Sequence, residues 1–109
     1  MTNYVPPIED IEFVLNEVIG LDEICDLASY QEVSPDLVKS ILIEAGRFAS
    51  EVLAPLNRVG DVQGSRLENN LVLTPTGWKE AYRKFTQGGW SGLSLDPKYG
   101  GQGLPQVVG

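Results

Sequence analysis

Residues 34–57 read "SPDLVKSILIEAGRFASEVLAPLN". Within them Leu37, Val38, Ile41, Leu42, Ala45, Phe48, Ala49, Val52 and Leu53 recur at spacings of three and four. That spacing puts one apolar stripe along about five turns of helix, and such a stripe must be buried against something. Ser34 suits the N-cap, and Pro35 suits the first helical position, where its missing N–H costs nothing. Asp36 favours the same positive end of the helix dipole. Pro55 is predicted to end the helix. Gly46, in its interior, costs roughly 1 kcal/mol against alanine. Close approach of another helix at that point would account for it, and so would simple tolerance.

The flanking segments read as shorter helices. In "YVPPIEDIEFVLNEVIG" the prolines Pro6 and Pro7 keep the entry extended. After them Ile8, Ile11, Leu15, Val18 and Ile19 form a helical face, and Gly20 is the expected stop. "LDEICDLASY" predicts a second helix, with Leu21, Ile24, Cys25, Leu27 and Ala28 on one side. The stretch from Asn57 to Asn70 is rich in turn formers and is expected to be loop, with "LVL" a single strand-like piece. Thr74 is the expected cap and Pro75 the expected first residue of a last helix. On that helix Trp78, Ala81, Tyr82 and Phe85 fall at i, i+3, i+4 and i+7, the spacing of a core-facing stripe. The fold class is therefore mostly α: a small helical domain with irregular loops and a glycine-rich C-terminal tail.

Composition excludes several functions. The 109 residues carry a formal net charge of −7 and no histidine. Without histidine the commonest general base and zinc ligand are missing, and Ser-His-Asp or Cys-His chemistry is impossible within the chain. No metal site is expected. Residues 1–32 hold acids and no Lys or Arg, which reads as a solvated helix face or a surface for a basic partner. No basic stripe is present for nucleic acid. No apolar run approaches the roughly 20 residues of a membrane span, and "MTNYVPPIEDIE" lacks the pattern of a secretory leader. The single Cys25 has no internal disulfide partner, reads as a small buried residue, and fits a reducing compartment such as the cytoplasm.

The tail, "FTQGGWSGLSLDPKYGGQGLPQVVG", holds seven of the twelve glycines. It lacks the Gly-x-Gly-x-x-Gly context of dinucleotide sites and the Gly-Lys-Ser/Thr of phosphate loops, so a small nucleotide-binding protein is disfavoured. The glycines read instead as turns at positive φ, with Trp90, Leu93, Leu95 and Tyr99 as anchors. Pro97 and Pro105 stiffen the loop. It looks like a segment ordered by protein that it touches.

"GGWSGLSLDPKYGGQGLP" resembles a loop in the N-terminal helical domain of acyl-CoA dehydrogenases. "FASEVLAPLNRVGDVQG" and "LTPTGWKEAYRKFTQGGW" resemble the long bacterial members of that family, of the methylmercaptopropionyl-CoA dehydrogenase type. The resemblance covers nearly the whole chain. It implies an acidic N-terminal extension with short helices at 1–33 and a truncated N-terminal α domain at 34–109. It also implies a parent enzyme that uses FAD, acyl-CoA and an electron-transfer flavoprotein. The usual catalytic glutamate and most flavin contacts of the family lie beyond the matched region. No catalytic, cofactor-binding or metal-binding residue is therefore assigned here, and none of FAD is expected to stay on this chain alone. Glu44 and Glu51 read as the solvated face of the long helix. Trp90, Tyr99, Gly100 and Gly101 match the family's loop and are expected to shape it. The expected partners are the remaining domains of the same enzyme, and self-association of the uncovered apolar faces is expected in their absence. The other reading is a free-standing helical protein-interaction module.

Overall fold

The structure is a computed structural model and describes residues 3–109. Helix α1 (Ile8–Phe13) runs on without a break as a π turn, Val14–Ile19. It ends where Gly20 takes φ 81, a conformation that favours glycine. Helix α2 (Leu21–Cys25) is shorter than the sequence predicts, because Leu27 is extended and breaks it. A 3₁₀ turn at Ala28–Tyr30 follows, and the Gln31 amide donates to the carbonyls of Asp26 and Leu27, covering the end of the broken helix.

Helix α3 (Pro35–Phe48) starts as predicted, with the Leu37 N–H donated to Ser34 Oγ at 3.1 Å. It does not stop at Pro55. A π turn, Ala49–Leu53, leads straight into α4 (Ala54–Gln63), so the helix runs from residue 35 to 63. Proline in a helix interior removes one hydrogen bond and collides with the carbonyl four residues earlier. The wider π turn just ahead shifts that carbonyl register and accommodates the ring. Ser50 Oγ donates to the Gly46 carbonyl at 2.9 Å, one of the backbone groups at this change of register. Asn57, Gly60 and Asp61, read as turn formers, are therefore helical. Gly64, at φ 63, is the real end.

Strands β1 (Arg66–Glu68) and β2 (Leu71–Leu73) form an antiparallel hairpin with Leu67 opposite Val72. Only β2 was expected. The signal for the pair is Asn69-Asn70, which take φ 52 and 64 in the two-residue turn. Helix α5 (Trp78–Gln87) begins later than predicted. Thr74 does not cap it, because Gly77 at φ 87 is incompatible with a right-handed helix and forces the start to Trp78. Thr76 is instead tied back to α4, its N–H and hydroxyl both donating to Gln63 Oε1.

Leu15, Leu21, Cys25 and Val38 form the buried centre, with Val33, Leu42, Val107 and Val108 packed against it. Helices α1, α2 and α3 thus share one core with the last residues of the tail. A second contact joins the tail to the helices through rings: Phe48 lies 6.2 Å from both Phe85 and Trp90.

Gly46 is buried where the N-terminal segment crosses α3. A Cβ there would lie 2.9 Å from Pro6 Cγ and 3.1 Å from Ile8 Cδ1. Close approach thus accounts for this glycine. Gly46→Ala gains about 1 kcal/mol of helix propensity but forces a rigid proline ring outward, at about 1–3 kcal/mol. We expect a net loss of about 1 kcal/mol, read as a lower urea midpoint at unchanged slope. A stabilised variant would show that Pro6 does not hold this position.

The molecule is open. Its extents are 52 × 34 × 17 Å and its radius of gyration 17.0 Å, against about 13 Å for a compact domain of this length. Its accessible surface is 8171 Å², where a folded monomer of this mass exposes about 6000 Å².

Candidate functional site

The concave feature with the most specific lining lies between α4 and α5. It encloses about 320 Å³ and is lined by Leu53, Leu56, Asn57, Trp78, Ala81, Tyr82 and Phe85. The aromatic stripe of α5 does share one face, as its spacing predicts. It is not sealed core, however: Trp78 is 43% and Tyr82 68% exposed, and only Ala81 is buried. Trp78 is fixed by donating Nε1–H to the Leu56 carbonyl at 3.3 Å and by lying on Gly60, where a Cβ would come within 2.5 Å of the ring. Here the sequence missed a functional spacing: Gly60 reads as a turn residue, but it admits an indole. A larger hollow of about 1040 Å³ lies along α4, where Tyr4, Ser50, Arg58 and Gln63 line it.

Neither hollow is built for proton transfer or phosphate. The polar groups that line the aromatic groove are the Asn57 amide, the Tyr82 hydroxyl and the Trp78 N–H, with no acid or lysine among them. Glu44 and Glu51 are exposed on the long helix, Glu44 paired with Arg47 at 3.2 Å. Glu80 receives two hydrogen bonds from Arg83, which hold its carboxyl below the usual range, and it stands in solvent. Among the described residues no three metal-ligating side chains gather.

The glycine-rich tail spends its backbone donors internally. The N–H groups of Gly100, Gly101 and Gly103 bond to the carbonyls of Pro97, Asp96 and Leu95. Those of Gly88, Gly89 and Gly92 bond to Lys84, Thr86 and Gly89. A phosphate cradle needs such groups pointing at the ligand, so this loop is not one. Of the residues that match the family loop, Trp90 is half-buried against Phe48, and Gly100 takes φ 91. Gly101 has the Leu95 carbonyl where a Cβ would stand. Tyr99, expected as an anchor, is 80% exposed, with the Lys98 ammonium 5.5 Å from its ring centre. Leu95 is also exposed, whereas Leu104 and Pro105 are buried and take the anchoring role. The protein that the tail touches is, in large part, this chain's own core.

Cys25 is buried as expected. Burial raises its thiol pKa, and the charges of Asp22 and Asp26 raise it further. A raised thiol pKa keeps the folded state protonated above the pH at which the unfolded thiol ionises, so stability declines as pH rises past that point. Thiol-reactive dye at pH 8 is expected to label Cys25 far more slowly in the folded chain than in urea. Equal rates would contradict its burial.

No protein-family model matches the chain. Curated proteins do. The chain is 42% identical over 106 residues to a 3-methylmercaptopropionyl-CoA dehydrogenase of Ruegeria pomeroyi, covering 97% of this chain and 18% of that protein. The similarity is to acyl-CoA dehydrogenases. A broad-specificity linear acyl-CoA dehydrogenase, FadE5 of Mycobacterium tuberculosis, matches at 26% identity over 99% of the chain and again 18% of that protein. The chain thus spans under a fifth of the length of these dehydrogenases. Among the described residues no helix is long and apolar enough to cross a membrane.

Proposed function

We propose that this chain is the N-terminal helical domain of a cytoplasmic, FAD-dependent acyl-CoA dehydrogenase, an oxidoreductase that forms the α,β-unsaturated thioester. Residues 1–33 are its acidic extension and 34–109 the start of its α domain. The observation that carries this reading is identity of 42% across 97% of the chain with a dehydrogenase more than five times longer. The open shape supports it, since apolar faces on α1 and α5 stand ready for cover by further protein. The residues present do not fit a flavin. The aromatic groove is lined mainly by apolar and aromatic side chains with no charged group, and the tail's glycine N–H groups are already bonded. No chemical step is assigned to this chain. Its role is to pack against the domains that bind flavin and acyl-CoA, with electrons leaving to an electron-transfer flavoprotein. Trp90, Gly100 and Gly101 shape the loop, while Tyr99 projects outward toward those domains.

The test compares this chain alone with a polypeptide that joins it to the rest of a dehydrogenase reading frame. The longer protein is expected to be yellow and to reduce a dye with acyl-CoA. The chain alone is expected to be colourless and inactive. Stoichiometric flavin on the isolated chain, or a longer protein without acyl-CoA oxidation, would overturn the reading.

A further inference from the structure

We draw no further inference here: the strongest candidate, the hollow of about 1040 Å³ along α4 lined by Tyr4, Ser50, Arg58 and Gln63, carries nothing, because its polar side chains other than Ser50 stand exposed, Gln63 is already bonded to Thr76, and nothing in the structure shows what covers it.

Discussion

Leu21→Ala is expected to cost about 3 kcal/mol, within the range of leucine truncations in cores that relax incompletely. Leu21 is 1% exposed and opens α2 directly after the Gly20 turn. It packs with Leu15, Cys25 and Val38, and those four side chains are the sealed centre of this open molecule. Domains of this size are stable by about 5–15 kcal/mol, and a chain with so small a core belongs at the lower end. Removing one of its few fully buried side chains therefore takes a large share of the total. Urea denaturation should show a much lower midpoint with little change in slope. A midpoint within error of the parent would mean that this cluster is not what holds α1, α2 and α3 together.

Gly101→Ala is expected to be as severe, for a different reason. A Cβ at this position would stand 2.1 Å from the Leu95 carbonyl oxygen and 2.3 Å from its carbon. Neither backbone can yield cheaply. The Leu95 carbonyl accepts from Gly103 N–H at 3.0 Å, and Gly101 N–H donates to the Asp96 carbonyl at 3.1 Å. Overpacking of this kind costs about 3 kcal/mol, enough to release the tail and strip Val107 and Val108 from the core. The expected signature in hydrogen exchange is lost protection at Gln102, Gly103 and Leu104, whose amides bond to Gly92, Leu95 and Leu93, while α3 amides stay slow. Gly100→Ala is the control. It has open space around the new methyl and bears only the cost of φ 91, about 1 kcal/mol. Equal behaviour of the two variants would contradict the crossing of Leu95 and Gly101.

Local rules were readable wherever one residue decides a geometry. Ser34 and Pro35 mark the start of α3, Gly20 marks the end of the π turn that continues α1, and the spacing of Trp78, Ala81, Tyr82 and Phe85 puts them on one face. The errors arose where a neighbour in space overrides a residue's local preference. Pro55 reads as a stop, but a π turn carries the helix past it. Gly60 reads as a turn, but an indole from α5 occupies the place of its missing side chain. Thr74 and Pro75 read as a helix start, but Gly77 postpones it. The groove itself was only half visible. The sequence shows the aromatic stripe, but whether something covers it depends on the rest of the fold. The tail's return was not legible either, since Val107 and Val108 pack against a core formed by residues far back in the chain.

The account's central claim is that these residues form an open layer with apolar faces awaiting other protein. Small-angle X-ray scattering on the 109-residue chain, extrapolated to infinite dilution, tests that most directly. A radius of gyration near 17 Å is predicted. A value near 13 Å, that of a closed globule of this length, would contradict it.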